Sequence, residues 1–367
     1  MKGRANDQRI LLRQERLLQA MVQKRLNFLV AAKPANIFYL TGFRGSAGVV
    51  AIGEGEGTLW VDPRYDLQAR EEAVGLRVVV KRSHLLDAAA EHLARHGRGA
   101  RAGYDESSLT CEGFARLKAL TKGKVRWTEA AGMVEALRET KDEEEIASIR
   151  AASALTVEAL SQTLPLVRPG VSELGLAAEI EYRMKRGGAD GPAFETIVAS
   201  GPRSAWPHAR PSSKPLQAGE LVIFDLGAIL GGYAADMTRT VFLGSPSRRI
   251  RQLYAAAEEA QAEGVAAARA GERAGAVDAA ARGSLKRRGL DKFFTHSTGH
   301  GVGIEIHEQP RLAKGVAARL PYHSVVTVEP GVYIEGLGGV RIEDTVLVSE
   351  GFPEILTPAG KDEWIID

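Results

Sequence analysis

The chain has 367 residues, of which 44% are hydrophobic and 26% are charged, an ordinary composition for a globular protein. At ~150 residues per domain, this length predicts about two domains. The 48 basic side chains nearly balance the 46 acidic ones, which argues against the broad cationic surface of a nucleic-acid-binding protein.

The cysteine content and the N-terminal segment indicate the compartment. Cys111 is the single cysteine, which excludes an internal disulfide framework and a cysteine-based zinc site. One thiol in a chain of this length fits a reducing compartment. The N-terminal segment carries charges throughout and lacks the apolar core of a secretory signal. No stretch reaches the ~18 apolar residues of a membrane span. We therefore expect a cytoplasmic protein with no membrane partner.

The first third of the chain alternates short β-rich runs with helical ones. Leu11, Leu18 and Val22 repeat at helical spacing and predict an amphipathic N-terminal helix. Strands are predicted at residues 28–32, 47–52, 58–62, 77–81 and 124–127, and helices at residues 65–73, 85–96 and 111–120. The run GEGEG at residues 53–57 lacks the context of a dinucleotide-binding loop and predicts a hairpin turn. The pattern predicts a small α/β domain over residues 1–134.

The pattern changes after Val134, where we expect the domain boundary. Thr140 followed by Glu143 has the spacing of a capping box and predicts a helix start. Helices are predicted at residues 144–164, 171–186, 247–270 and 273–288, and strands at residues 195–200, 220–230, 233–243, 325–334 and 340–348. The basic run at residues 248–251 is interpreted as the solvated start of a helix. Residues 135–367 thus predict an α+β domain of helix pairs and antiparallel strands.

Two predicted hairpins carry acidic residues. In the first, Asp225 and Asp236 flank a turn near residues 230–232. Because the two residue numbers add to an odd number, a two-residue turn puts both side chains on one face, directly opposite or one diagonal step apart. The two carboxylates would then lie within reach of a shared ion.

The second hairpin repeats this arrangement. Glu329 and Glu343 are symmetric about Gly336, so antiparallel pairing around that turn also places them opposite each other. Four ionised carboxylates on paired strands would repel strongly and would be costly to bury without a cation. A site rich in carboxylates with one histidine suits Mn²⁺, Fe²⁺, Co²⁺ or Zn²⁺ in a two-metal arrangement. The alternative is that each carboxylate is solvated in a turn.

The histidine-rich segment at residues 295–310 reads THSTGHGVGIEIHEQP. By itself it is compatible with a metal site, a phosphate-binding glycine loop or a flexible turn. Because Gly299 and Gly301 let the backbone approach closely, His300 is the candidate metal ligand. His307 lies seven residues further along, an odd step that would put it on the opposite face of a regular strand. We therefore expect His307 to reach a substrate rather than the ion.

Together, these motifs resemble those of the Xaa-Pro peptidases, aminopeptidase P and prolidase, of the creatinase-like pita-bread fold. The resemblance covers essentially the whole chain and rests on NIFYLTGFRGSAG in the first domain and on FDLGA, YAADMTRT, HSTGHGVG, TVEPG and GGVRIED in the second. It implies an α+β fold, in which a pita-bread catalytic domain (residues 135–367) follows a smaller α/β domain. It also implies a homodimer or a homotetramer.

The resemblance implies two divalent metal ions per subunit, with Mn²⁺ expected first and Co²⁺ or Zn²⁺ as alternatives. It assigns Asp225 to one ion, and His300 and Glu329 to the other. Asp236 and Glu343 would bridge both ions. The implied substrate is a peptide with proline at the second position.

The implied reaction is hydrolysis of the bond that precedes proline, which releases the N-terminal residue. A hydroxide between the two ions would attack the peptide carbonyl, with Glu329 as general base and then acid. His208 and His307 match the histidines that stabilise the intermediate. The residues that match the family's substrate pocket are His296, Tyr333 and Arg341.

Two departures from the family pattern lie near the expected pocket. Trp206 stands where a smaller apolar residue usually precedes Pro-His, and Tyr322-His323-Ser324 precedes the TVEPG strand where Gly-Met is common. Among enzymes, methionine aminopeptidases share the metal chemistry but lack such a first domain, and creatine-hydrolysing relatives have lost metal ligands. The alternative from another class is a non-catalytic pita-bread protein that binds peptides or histones. The complete ligand set argues against it.

Overall fold

The computed structural model describes residues 2–53, 55–95, 99–362 and 364–366. The described residues form two compact units, Met1–Arg138 and Glu139–Asp367. Glu54, in the predicted hairpin turn, and His96, at the end of a predicted helix, lie outside the described residues. Within the described part of the chain, no helix is long and apolar enough to cross a membrane.

The first unit alternates helices and strands. Its helices are α1 (Lys2–Gln23), α2 (Pro34–Thr41), α3 (Asp66–Glu72), α4 (Leu85–Leu93), α5 (Cys111–Thr121) and α6 (Met133–Arg138). Its strands are β1 (Phe28–Ala31), β2 (Gly48–Gly53), β3 (Glu56–Val61), β4 (Arg77–Val80), β5 (Ala100–Tyr104) and β6 (Val125–Glu129). They form a sheet in the order β4-β3-β2-β1-β5-β6, with β1–β2 and β2–β3 antiparallel and the other pairs parallel.

Helices cover both faces of this sheet. One face contributes Phe28, Val30, Val49, Ala51 and Trp60 to a core that contains Leu86 and Leu93 of α4 and Leu117 of α5. Gly48 precedes Val49 in β2, and a Cβ on Gly48 would lie 3.5 Å from the Ile37 side chain of α2. Because successive residues of a strand point to opposite faces, α2 lies on the other side from α4 and α5. The predicted α/β architecture is confirmed.

The N-terminal helix is confirmed, but its buried face differs from the predicted one. Ile10, Leu17 and Met21 are at most 2% exposed, whereas Leu11 is 41% exposed and Val22 is 74% exposed. The buried set has the same spacing as the predicted set, shifted by one residue. The repeat of apolar residues therefore identified the helix. It did not show which of two adjacent apolar faces of the helix is buried.

The second unit combines helix pairs with short strands. Its helices are α7 (Glu143–Thr163), α8 (Glu173–Arg186), α9 (Arg248–Ala267) and α10 (Ala274–Arg287). Its strands are β7 (Gly191–Pro192), β8 (Ile197–Ser200), β9 (Leu221–Leu226), β10 (Ala228–Leu230), β11 (Tyr233–Ala234), β12 (Met237–Leu243), β13 (Gly299–Gly301), β14 (Glu308–Leu312), β15 (Val325–Val328), β16 (Gly331–Ile334), β17 (Gly338–Arg341), β18 (Asp344–Leu347), β19 (Glu354–Ile355) and β20 (Ile365–Ile366).

Each helix pair of the second unit covers a sheet. The pair α7–α8 packs Leu160 and Ile180 onto the sheet β20-β12-β9-β8, where Phe224 is buried. The pair α9–α10 packs Val265 and Val277 onto the sheet β14-β13-β15-β18-β19. Smaller ladders, β11-β10-β7 and β16–β17, complete the unit. This mixture of helix pairs and antiparallel strands is the predicted α+β fold.

The predicted capping box at the start of α7 is wrong by two residues. The side chain of Asp142 accepts hydrogen bonds from the backbone N–H groups of Glu144 and Glu145, at 3.0 Å each. The Glu145 carboxylate accepts in return from the Asp142 N–H, at 3.0 Å. The stretch therefore holds two pairs at capping-box spacing, Thr140–Glu143 and Asp142–Glu145, and the helix uses the second.

Candidate metal centre

The first hairpin brings Asp225 and Asp236 together as its sequence predicts. Strand β9 pairs with β12 so that Asp225 lies opposite Thr238, which leaves Asp236 one diagonal step away. The turn between them is Gly231-Gly232, and both glycines have positive φ, of 62° and 84°. That conformation is typical of the two-residue hairpin turn that matches strand twist. The pairing therefore directs both carboxylates to one face.

The second hairpin has the predicted register around Gly336. Val328 lies opposite Asp344 in the pair β15–β18, and Gly331 lies opposite Arg341 in the pair β16–β17. Both pairs are symmetric about Gly336, although they belong to different sheets. Glu329 and Glu343 occupy the interruption between these ladders. They therefore face each other at the point where the hairpin passes from one sheet to the next.

His300 is held in the middle of β13 between two glycines. A Cβ on Gly299 would lie 1.9 Å from the carbonyl oxygen of Thr327, and a Cβ on Gly301 would lie 2.1 Å from that of Gln309. Only glycine allows the neighbouring strands to approach this closely. The imidazole Nε2 of His300 then lies 3.5 Å from Asp236 Oδ2 and 3.6 Å from Glu329 Oε1.

The tautomer of His300 follows from its other ring nitrogen. Nδ1 lies 3.0 Å from the carbonyl oxygen of Gly301. Because a carbonyl oxygen only accepts hydrogen bonds, Nδ1 carries the proton and Nε2 keeps its lone pair. Burial, the largest cause, lowers the pKa of His300 to about 4. The ring is therefore neutral near pH 7, with Nε2 turned toward the carboxylates in the state that a metal ligand requires.

The carboxylates of the cluster are destabilised as anions. Burial first, and repulsion between neighbouring carboxylates second, raise the pKa of Glu343 to about 8. The same causes raise the pKa of Asp236 and Glu329 well above the ordinary range. Without a cation, the cluster therefore retains protons at neutral pH.

The donor set fits divalent cations. One ligand atom from each of Asp236, His300 and Glu343 lies within 4.8 Å of the others. Among the described residues, Asp225 Oδ1 is buried and has no hydrogen-bond partner. An unpaired buried carboxylate oxygen is costly, and a cation would satisfy it. Oxygen donors with one imidazole suit Mn²⁺, Co²⁺ and Zn²⁺ alike.

Arg341 shares the face of Glu343, as their two-residue spacing predicts. Its Nη2 donates to Asp225 Oδ2 at 2.5 Å, and its Nη1 donates to the Tyr333 hydroxyl at 2.7 Å. Its Nε donates to Thr238 Oγ1 at 3.0 Å, and that hydroxyl donates to Glu343 Oε2 at 2.6 Å. Sequence reasoning missed Thr238. Its signal is its place two residues after Asp236, on the same face of β12.

His296 and Tyr333 form one end of the same network. His296 Nδ1 lies 2.8 Å from the carbonyl oxygen of Ser297, so it is the donor, and Nε2 accepts from the Tyr333 hydroxyl at 2.9 Å. Burial lowers the pKa of His296 to about 4 and raises that of Tyr333 to about 12. Both side chains are therefore neutral at pH 7. A continuous hydrogen-bonded chain runs from His296 through Tyr333 and Arg341 to Asp225.

His307 lies beside His300, and the strand argument that separated them is wrong. Their ring centroids are 4.3 Å apart at an angle of 72°. The chain reverses between β13 and β14, so Gly301 pairs with Glu308 and counting residues along one strand does not apply. Burial, then the charge of His208, lowers the pKa of His307, and His208 also lowers that of His296. The His208 side chain is exposed, and it contributes to the lowered pKa of both His296 and His307.

The two departures noted in the sequence have different surroundings. Trp206 is 58% exposed, and the guanidinium of Arg203 lies 5.0 Å from its ring. The next carbonyl, that of Pro207, accepts from Arg341 Nη1 at 3.3 Å, so Trp206 adjoins the network around Asp225. Tyr322 stacks on His323 with centroids 4.0 Å apart, and His323 has a φ of 63°.

The chain matches two family models. Residues 147–350 match the model described as metallopeptidase family M24, and residues 13–140 match the creatinase/prolidase N-terminal domain. The chain is 36% identical over 356 residues to a Xaa-Pro dipeptidase of Pyrococcus furiosus, covering 95% of this chain and 99% of the relative.

Solved structures are similar over nearly the whole chain. A Xaa-Pro dipeptidase from Bacillus anthracis has a TM-score of 0.92 and 35% identity, covering 97% of this chain and 100% of that one. An X-Pro aminopeptidase from Thermotoga maritima has a TM-score of 0.88 and 33% identity, covering 96% of this chain and 100% of that one. Both similarities extend across the two units.

Proposed function

The chain belongs to metallopeptidase family M24, and we propose that it hydrolyses the peptide bond preceding proline and releases the N-terminal residue. Two similar proteins carry the names Xaa-Pro dipeptidase and X-Pro aminopeptidase, which supports this substrate class. The observation that carries the proposal is the position of His300 Nε2 between Asp236 and Glu329, together with the buried Oδ1 of Asp225, which has no hydrogen-bond partner among the described residues.

We assign two divalent ions to the cluster, with Mn²⁺ as the first choice and Co²⁺ or Zn²⁺ as alternatives. Asp225 would hold one ion, His300 and Glu329 the other, and Asp236 and Glu343 both. When bound, such ions supply an activated water and polarise the peptide carbonyl.

The protein's own side chains would move the proton and stabilise charge. Glu329, half-buried next to His300, would accept a proton and return it to the leaving proline nitrogen. His208 and His307 would donate hydrogen bonds to the oxygen on which negative charge develops. The pKa of both His296 and His307 is lowered in part by His208, which supports a place for His208 in this region.

The hydrogen-bonded chain beside Asp225 would orient the substrate. Arg341 is fixed by Asp225, Thr238 and Tyr333, so its guanidinium loses little further freedom when a substrate binds. His296 and Tyr333 would form the neighbouring wall of the substrate pocket.

We also propose a homodimer or a homotetramer, a cytoplasmic location, and a domain boundary near Val134. Light scattering on the purified protein tests the oligomeric state.

The experiment is a substrate and metal panel on the purified full chain. The metal-free protein is loaded with Mn²⁺, Co²⁺ or Zn²⁺ and offered Xaa-Pro dipeptides, Xaa-Pro-Yaa tripeptides and matched Xaa-Ala peptides. We expect cleavage of the proline peptides and little of the alanine ones. Protein that binds two equivalents of metal yet cleaves none of these peptides would overturn the proposal, and it would favour a non-catalytic peptide-binding protein.

A further inference from the structure

Glu173 is a buried carboxylate outside the metal cluster. It is the first residue of α8 and is 0% exposed. Its Oε1 accepts from the N–H and the hydroxyl of Ser200, both at 2.8 Å. Its Oε2 accepts from the N–H of Ser212 at 3.1 Å and from the Ser212 hydroxyl at 2.7 Å. Arg203 Nε donates to both oxygens, at 3.3 and 3.1 Å.

These partners bracket one loop. Ser200 ends β8, Ser212 lies beyond the loop, and Arg203 lies within it. Residues 201–211, which we call the His208 loop, therefore begin and end on the same carboxylate. A loop closed in this way loses the freedom of both ends at once, which limits the positions open to His208.

The His208 loop also contacts β17. The hydroxyl of Ser204 accepts from the Gly339 N–H at 2.9 Å, and the Pro207 carbonyl accepts from Arg341 Nη1 at 3.3 Å. A Cβ on Gly339 would lie 2.2 Å from the Ser204 carbonyl oxygen, so loop and strand are in close contact. A shift of the loop would therefore move His208 relative to the Arg341 network.

The charge of Glu173 is what allows it to hold both ends. Burial acts to raise the pKa of Glu173, but the hydrogen bonds from Ser212 and Ser200 and the charge of Arg203 outweigh it, so the pKa is lowered. An ionised carboxylate offers acceptors on both oxygens, and hydrogen bonds to it are stronger than those between neutral groups. A neutral amide accepts on its oxygen alone.

We propose that Glu173 is a positioning residue that acts through His208. By holding Ser200 and Ser212 on one carboxylate, Glu173 sets the place of His208, which follows directly after the Pro207 carbonyl bound by Arg341. This inference rests on the proposed function of His208 in stabilising the reaction intermediate. A role in catalysis at a distance predicts a change in kcat rather than in KM, because an interaction made mainly in the transition state is lost.

The test is a double-mutant cycle on the metal-loaded full chain. Glu173→Gln retains the shape of the side chain, but its amide nitrogen must face the donors of Ser200 or Ser212, so one end of the loop is released. We expect kcat on an Xaa-Pro dipeptide to fall about tenfold, with KM changed less than about twofold. In a His208→Ala background, we expect Glu173→Gln to change kcat less than about twofold further, since the two residues act as one unit.

A second readout does not need turnover. Hydrogen exchange of peptides covering residues 200–212 should become faster in Glu173→Gln, because the Ser200 or Ser212 N–H loses its acceptor. If this variant does not fold, Ser212→Ala removes one hydroxyl donor and should give a smaller effect of the same kind. The matched control is Asp105→Asn in the first unit, where a buried carboxylate accepts from Ser107 N and Oγ at 3.0 and 2.6 Å. The control should keep kcat within about twofold.

The outcomes separate the two proposals. A wild-type protein that cleaves no proline peptide overturns the proposed function, and the exchange experiment still reports whether Glu173 holds the loop. Unchanged exchange across residues 200–212 overturns the inference. The inference is also overturned if the wild type is active and Glu173→Gln lowers kcat as much in the His208→Ala background as in the wild type. A His208→Ala variant with normal turnover overturns it too.

Discussion

The guanidinium of Arg341 lies 2.5 Å from the Asp225 carboxylate, although the two residues belong to different hairpins. The Arg341 side chain is 4% exposed and that of Asp225 is 13% exposed. This pair links β9 to β17 across the cluster that we assign to the metals. Arg341 thus provides a fixed positive charge at a place where carboxylates would otherwise face one another.

Removing Arg341 should destabilise the metal-free protein strongly. Arg341→Met leaves the Asp225 charge buried without its partner, and breaking a buried pair in this way costs about 3–5 kcal/mol in the free energy of unfolding. Urea unfolding measures the difference. The control is Arg150→Met, whose pair with Glu354 has side chains 47% and 49% exposed, and it should cost at most ~1 kcal/mol. Equal losses in the two variants would contradict the importance given to burial.

Metal loading should release protons at pH 7. Glu343, with a pKa of about 8, and Asp236 and Glu329, with pKa values raised well above their ordinary range, hold protons that a cation displaces. Protons compete with the metal below these pKa values, so the apparent affinity should rise with pH through the pKa of Glu343, about 8. Calorimetry in two buffers of different ionisation heat counts the protons. Loading without proton release would show that the cluster is already ionised.

Replacing Glu329 should lower the metal content of the protein, whereas replacing His208 should not. Glu329→Ala removes a proposed ligand and the proposed base, so it should abolish hydrolysis and empty at least one metal position. His208→Ala should slow kcat about 10²–10³-fold, the usual effect of losing one donor to a developing oxyanion. It should leave both metals bound. Elemental analysis of the dialysed proteins measures this, and metal loss from His208→Ala would contradict its assignment as a non-ligand.

Gly227 should not tolerate a side chain. A Cβ there would lie 1.9 Å from the carbonyl oxygen of Ala235, between the two aspartates of the first hairpin. Gly227→Ala should therefore cost about 1–3 kcal/mol through a backbone shift, and it should weaken metal binding as Asp225 and Asp236 separate. Gly283→Ala in α10 is the matched control, because nothing lies within 4 Å of its Cβ. It should gain about 0.5–1 kcal/mol as helix propensity improves. Thermal melts with and without Mn²⁺ measure both effects.

The carboxylate placement could be predicted because hairpin register is a local property. Asp225 and Asp236 flank a Gly-Gly turn, and Glu329 and Glu343 are symmetric about Gly336, so residue numbers alone bring each pair together. The sheet exchange at Glu329 was missed because residues 325–334 were predicted as one strand, although Glu329 and Pro330 interrupt the apolar run between β15 and β16. Likewise, β5 was missed because Arg101 and Gly103 interrupt its apolar run.

The contacts that depend on chain reversal could not be predicted from one sequence. His307 approaches His300 because β14 folds back along β13, and no residue pattern distinguishes this from a straight strand. Nothing in the sequence singles out Glu173, because its partners Ser200 and Ser212 meet it only in the fold. The buried face of α1 could not be predicted for a different reason: two adjacent sets of residues with equal spacing were both apolar.

The ligand-bearing segments of the second unit lie on both sides of the long α9–α10 hairpin in the sequence and come together at the cluster. An ion held by Asp225, His300 and Glu329 would therefore act as a cross-link that exists only while both hairpins are folded. The stability that this cross-link adds depends on the free metal concentration. Each tenfold rise in free metal above the dissociation constant adds about 1.4 kcal/mol to the free energy of unfolding. A chelator would then lower the melting temperature as well as halt turnover, which makes the resistance of this protein to unfolding a gauge of the metal supply around it.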